Sequence, residues 1–356
     1  CDCTAAKLSK ALRPGWILPG LAIVLLSLSA CQSEEVLSRQ SFVFGTLVEV
    51  KIRTSDRDQA IDAVDTLFSR FDQLHTDWHA WKLGDMTATS AKLSQDEWFT
   101  PAASITPVLE YSQQLYRDSR GLFNPAMGSL IALWGFHADT LPDKPPAETA
   151  IDSILRNLPG MDDIEFNNGR VRGRHPHIII DAGGMAKGYA VDTGTELLRK
   201  HGINNALLNA GGDLCGIGNR GDRAWRVGIR HPNGQGVLAS IDLSDGECVF
   251  TSGDYERGYD YENRHYHHII DPRTGYPANG AVSVTVLHPD GARADAASTA
   301  LLVAGVDGWQ DIARSMKVDK VLLVDHQGRL HMTAGMQKRV VIRDNAAQEI
   351  IIAPQV

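Results

Sequence analysis

The segment Ile178-Ile179-Ile180-Asp181-Ala182-Gly183-Gly184-Met185-Ala186-Lys187-Gly188-Tyr189 constrains the fold more than any other stretch of the chain. A β-branched apolar run ends in a carboxylate, two glycines follow, and a helical pattern bearing a lysine begins. β-Branched residues favour extended backbone, and glycines permit a tight turn and close approach by other groups. The order is therefore strand, turn, helix. A helix N-terminus behind glycines exposes N–H groups and favours negative charge, so the segment can hold a phosphate-bearing ligand. Taken alone it fits a plain strand–turn–helix connection equally well.

Helical and extended patterns alternate around this segment. Asp56 to Leu74 places Ile61, Val64, Leu67, Phe68, Phe71 and Leu74 on one face of a helix. Further helices are expected over Ala103 to Tyr116, Glu148 to Leu158, Met185 to Arg199 and Ala294 to Leu302. Strands are expected at Val43 to Ile52, Ile178 to Asp181, Ala206 to Asn209, Trp225 to Arg230 and Leu238 to Leu243. Others follow at Cys248 to Thr251, Val282 to Leu287, Lys320 to Val324 and Arg339 to Ile342, and Ile350 to Ala353 reads as an edge strand or a loose tail. Helices beside mostly antiparallel strands give an α+β (mixed α/β) fold. No Pro/Gly/Ser-rich linker divides residues 43–356, so one large domain is expected there.

The N-terminus has a different character. Lys7, Lys10 and Arg13 precede an apolar run from Trp16 to Ala30, and polar Gln32-Ser33-Glu34-Glu35 follows soon after. That is the layout of a secretory signal over residues 1–30, too short for a comfortable membrane span of about 20 residues. Leu28-Ser29-Ala30-Cys31 resembles the bacterial lipobox, in which the cysteine is lipidated and becomes the first residue. Residues 31–42 then form a lipidated linker. A simple signal peptide with an incidental cysteine is the alternative. Cys215 and Cys248 remain in the domain, as a disulfide or as small buried hydrophobes. The net charge of −8, without a basic stripe, argues against non-specific nucleic-acid binding.

Four other stretches carry chemistry. On a helix, Asp295 and Thr299 lie four apart on one face, offering hard oxygens that suit Mg²⁺. An N-cap aspartate with a buried threonine gives the same pattern. Tyr266-His267-His268-Ile269-Ile270-Asp271-Pro272-Arg273-Thr274-Gly275 is a turn preceded by two histidines, and a histidine near an aspartate and a phosphate can transfer a proton. Thr251-Ser252-Gly253-Asp254-Tyr255 and Asn209-Ala210-Gly211-Gly212-Asp213 are glycine turns that hold an anion or close a hairpin. Their combination is what carries weight.

In this order the motifs resemble those of the FAD:protein FMN transferase (ApbE) family. The matching stretches also include Gly45-Thr46, Gly121-Leu122-Phe123-Asn124-Pro125 and Leu133-Trp134-Gly135-Phe136, and together they cover nearly all of residues 43–356. The resemblance implies an ApbE-like flavin transferase fold with FAD in a deep cleft and Mg²⁺ at its pyrophosphate. It further implies transfer of FMN to a threonine hydroxyl of a target protein, with release of AMP. Carried over residue by residue, Gly184 (through its carbonyl), Asp295 and Thr299 match metal positions, and Ser298 stands where some members have an aspartate. Asp181, Lys187, Phe44, Trp78, Leu122, Phe123, Asn124 and Ile270 match flavin-nucleotide positions, with Trp78 and Phe123 covering the isoalloxazine ring. His268 is the candidate base, with Asp271 orienting it. Asp77 to Ser94 departs from the family pattern. The implied acceptors are periplasm-facing flavoprotein subunits of respiratory complexes, of the sodium-pumping quinone reductase or Rnf type. A Mg²⁺-dependent FAD pyrophosphatase and a non-enzymatic periplasmic FAD-binding lipoprotein are the alternatives.

Overall fold

The computed structural model describes residues 35–232, 235–343 and 349–354; the expected signal segment and Cys31 lie outside them. Nine strands form one sheet in the order Glu35–Val43, Thr46–Thr54, Ala206–Ala210, Asp213–Ile217, Cys248–Gly253, Ser283–His288, Val321–Val324, Leu330–Thr333 and Ile350–Ala353. Neighbours are antiparallel except the last pair, where Ile350–Ala353 runs parallel to Leu330–Thr333 as the edge strand.

Alternation along the strands sorts side chains to two cores. Cys248 and Phe250 face the larger core, whereas Val249 faces a smaller one; Val321 and Leu323 oppose Leu322 in the same way. The larger core lies under the helices Arg57–Trp78, Gly183–Lys200 and Gly291–Ser315. The smaller core is closed by a three-stranded sheet of Trp225–Arg230, Val237–Leu243 and Val340–Ile342. Within the central sheet Cys215 and Cys248 stand directly opposite each other and are disulfide-bonded, which settles the alternative left open by the sequence.

Two expectations need correction. The segment expected to be a linker is a sheet strand from Glu35 onward, paired with Thr46–Thr54. It is an edge strand that buries only Leu37 and Val43, so its sequence lacks the apolar alternation that marks a strand. Ile178 to Asp181 is extended but joins no ladder, and only Ile179 bridges Met127. Its backbone is satisfied locally instead: Ile180 donates to Ser90 Oγ at 3.0 Å and Asp181 to the Pro125 carbonyl at 2.8 Å. The helix expected to end at Leu302 starts at Gly291 and breaks close to the expected place, at the non-helical Gly305, beyond which a second helical stretch reaches Ser315. Gly305 has a φ of 65°, and an added Cβ would meet the Gly280 Cα at 2.6 Å, so the bend seats one backbone on another. The atypical region after Asp77, to which the sequence assigned no element, holds a helix at Asp85–Leu93.

Candidate active site

A cavity of about 740 Å³ opens where the N-terminal ends of the two glycine-led helices meet the sheet. Phe44, Trp78, Leu122, Phe123, Asn124, Asp181, Gly184, Lys187, His268, Ile270, Asp295 and Thr299 all line it. Segments far apart in sequence are thus brought together, and the local reasons differ for each.

Phe44 and Gly45 form the two-residue turn between the first two strands, both with positive φ (55° and 71°) as such hairpins require. The Phe44 ring packs edge-on against Phe71 and His75. Phe123 is fixed by its N–H donating to Ser119 Oγ at 3.0 Å. Asn124 spends its side chain on the loop itself, donating to the Pro159 carbonyl at 2.9 Å and accepting from Ala126 N–H at 3.1 Å.

Asp181 stands one residue before the N-cap Ala182 of the Gly183–Lys200 helix and accepts the Gly183 N–H at 2.9 Å on one oxygen. Its other oxygen accepts the indole N–H of Trp81 at 3.0 Å. At Gly184 an added Cβ would lie 3.2 Å from the Phe123 ring and 3.5 Å from Thr299 Oγ1, so the bare backbone abuts the threonine. One turn on, Gly188 donates its N–H to the Asp295 carboxylate at 3.0 Å. Asp295 is 5% exposed, and burial lifts its carboxyl to about 7, against the opposing pull of Lys187.

Lys187 forms an ion pair with Asp213, which is itself buried and accepts the Thr251 N–H at 3.1 Å. Burial works against the lysine charge, but the carboxylates of Asp213 and Asp295 outweigh it and raise the ammonium above the ordinary lysine range. Beside them, Ser252 Oγ lies 3.2 Å from Thr299 Oγ1 and 2.7 Å from Ser298 Oγ.

Two expected site residues are elsewhere. Ser298 does not line the cavity; it is buried, with its hydroxyl donating to the Asp295 carbonyl at 2.8 Å. Adjacent to Thr299, it projects about 100° further round the helix, where its Oγ meets Ser252 Oγ at 2.7 Å. Asp271 does not orient His268. Its carboxylate is held by the Arg273 guanidinium at 2.8–3.2 Å and shapes its own turn. His268 instead directs both its backbone N–H (2.9 Å) and ring Nδ1 (3.2 Å) at the Arg257 carbonyl. A carbonyl only accepts, so Nδ1 carries the proton and Nε2 is the basic nitrogen. Burial, with nearby His267, Lys187 and Arg257, lowers the imidazole to about 4.

Sequence reasoning missed Trp81 and Asp213. Trp81 lines the cavity, meets the His137 ring at 4.7 Å and holds Asp181, whereas Trp78 is 7% exposed and bonds to the Ser104 carbonyl. Two tryptophans three apart in Trp78-His79-Ala80-Trp81 were the available signal: the first ends a helix and the second stands in the loop beyond it. Asp213 was visible only as the last residue of a glycine turn.

The chain is similar to known proteins. The ApbE family model matches residues 44–322. A Rhodobacter capsulatus FAD:protein FMN transferase is 39% identical over 336 residues, covering 94% of this chain and 63% of that protein. A Treponema pallidum FAD:protein FMN transferase is 30% identical over 362 residues, covering 92% of this chain and 96% of its own. Among solved structures, the ApbE protein of Thermotoga maritima superposes with a TM-score of 0.76 at 28% identity, over 87% of this chain and 100% of that one. With the family model spanning the cavity-forming segments from Phe44 to Thr299, the chain belongs to the ApbE family.

Proposed function

We propose that the protein transfers FMN from FAD to a threonine hydroxyl of a target protein and releases AMP, with Mg²⁺ at the pyrophosphate. The observation that carries this reading is the convergence of Gly184, Lys187, Asp295 and Thr299 on one cavity wall. A pyrophosphate calls for a fixed cation and for hard oxygens able to hold a divalent ion beside it. The residues fit such an ion. Among the described residues the buried Asp295 carboxylate accepts one hydrogen bond, from Gly188, and Thr299 Oγ1 and the Gly184 backbone lie together next to it. When bound, Mg²⁺ offsets the charge that develops on the departing AMP phosphate.

The chain's own residues do the rest. Lys187 neutralises phosphate oxygens, and the apolar faces of Phe44, Leu122, Phe123 and Ile270 receive the flavin. The acceptor oxygen bonds to the FMN-side phosphorus as the bond to AMP breaks. His268 Nε2, neutral near pH 7, takes the hydroxyl proton. The acceptors we propose are flavoprotein subunits of sodium-pumping quinone reductase or Rnf type. We place the protein on the bacterial envelope, held through a lipid on Cys31 and facing the periplasm. The Cys215–Cys248 disulfide supports an oxidising compartment, and among the described residues no helix is long and apolar enough to cross a membrane.

The decisive experiment incubates the protein with FAD, Mg²⁺ and a threonine-bearing acceptor and weighs the products. Covalent FMN on the acceptor with an equivalent of AMP is expected. Free FMN with unmodified acceptor would establish the pyrophosphatase instead, and intact FAD the carrier. Cys31→Ser is expected to release the protein from membranes; undiminished anchoring would defeat the lipid assignment.

A further inference from the structure

Asp213 has no part in the chemistry above, yet it faces the same cavity and is 3% exposed. It begins the strand Asp213–Ile217, directly after Gly211 and Gly212, both with positive φ. A Cβ at Gly211 would meet the Thr46 side chain at 2.3 Å, so the turn is seated firmly. One Asp213 oxygen accepts the Thr251 N–H at 3.1 Å, and the other pairs with Lys187. The strands carrying Asp213 and Thr251 are cross-linked two and three residues away by Cys215 and Cys248.

Lys187 is therefore claimed by two carboxylates. It pairs with Asp213, while Gly188, its neighbour in the chain, donates to the Asp295 carboxylate and brings that second anion alongside. We propose that Asp213 is a positioning residue that holds the Lys187 ammonium away from Asp295, keeping that carboxylate available to a divalent ion. The inference rests on the function proposed above. If the Asp213 charge is removed, Asp295 becomes the strongest remaining anion acting on Lys187. An ion must then displace an ammonium before it can use Asp295. Like charges at one carboxylate compete directly, and the competition is strengthened by burial.

The test follows FAD binding by flavin fluorescence at increasing Mg²⁺, a readout independent of turnover. In Asp213→Asn the Mg²⁺ concentration for half-maximal binding is expected to rise about tenfold. Because Lys187 itself meets phosphate, the double variant Lys187→Met/Asp213→Asn is compared with Lys187→Met: with the competing cation gone, adding Asp213→Asn is expected to leave the Mg²⁺ requirement within about threefold of that of Lys187→Met. Asp213→Glu, which keeps the pair, is expected to stay near the original. Should Asp213→Asn not fold, Asp213→Ser retains an acceptor for the Thr251 N–H and serves in its place. An unchanged Mg²⁺ requirement in Asp213→Asn, or a tenfold rise when Asp213→Asn is added to Lys187→Met, would overturn the inference alone. A parent protein whose FAD binding ignores Mg²⁺ would overturn the proposed metal role, and the inference with it.

Discussion

Gly188 donates its backbone N–H to the Asp295 carboxylate at 3.0 Å, joining the two helices that build the cavity wall. The contact is possible because the helices touch there: a Cβ at Gly188 would lie 2.2 Å from the Gly291 carbonyl oxygen and 2.5 Å from its carbon. Asp192, one turn further on, secures the same junction by accepting the Gly291 and Ala292 N–H groups at 2.9 Å each. Gly188→Ala must therefore force backbone from backbone, with no flexible side chain to yield. It is expected to cost about 1–3 kcal/mol in urea unfolding and to weaken FAD binding as Asp295 shifts. A change below about 0.5 kcal/mol would show that the junction is looser than described.

Asp295→Asn separates charge from shape. The amide oxygen can still accept the Gly188 N–H, and the side chain keeps its volume in a buried place. Folding is expected to be intact by urea unfolding, since a buried charge is exchanged for a neutral isostere. Mg²⁺-dependent FMN transfer is expected to fall by at least about 100-fold, the share of a barrier that several kcal/mol of charge stabilisation supplies. Retained activity would remove the ion from Asp295.

The helices and the sheet interior were largely legible in the sequence because their period is imposed by burial on one face. Asp56 to Leu74 announced its helix, and the structure buries Val64, Leu67, Phe71 and Leu74 on the expected side. What stayed hidden was decided by partners distant in sequence. Glu35–Val43 is a strand because Thr46–Thr54 offers it an edge, and its solvent-facing residues need no pattern. At the site, glycine turns advertised themselves, since few residues replace glycine at positive φ. The pairings did not. That Asp271 belongs to Arg273 and Asp213 to Lys187 depends on side-chain reach across folded elements, which spacing along the chain does not encode.

His268 offers a test in which pH has a defined sign. Its folded value of about 4 lies below the ordinary 6.5, so between those values the unfolded chain binds the proton and the folded protein does not. Its contribution to stability is thus lowered as pH falls from about 6.5 to about 4 and is constant above that window. His268→Ala is expected to lessen the acid sensitivity of unfolding in that range. It is also expected to slow FMN transfer by about 10²–10⁴-fold, with a much smaller change in FAD affinity. Equal losses in rate and affinity would mark the histidine as structural.

Trp78, expected to cover the flavin ring, and Trp81, three residues on, both line the cavity but are held in different ways. Trp78 packs at 5.4 Å against the Tyr189 ring, with its indole N–H spent on the Ser104 carbonyl. Its replacement by alanine opens a void in the larger core and is expected to cost about 3–5 kcal/mol of stability. Trp81 is half-buried, faces the cavity and is anchored by Asp181. Trp81→Ala removes a surface for a planar ring and frees the Asp181 carboxylate to draw further on the helix start. Its expected signature is an affinity for FAD about tenfold weaker, with an unfolding midpoint close to the original. Fluorescence titration and urea unfolding of both variants distinguish the two. If Trp81→Ala bound FAD as tightly as the parent, Trp81 would have no contact with the flavin ring, and the Phe44 and Phe123 side of the cavity would carry it alone.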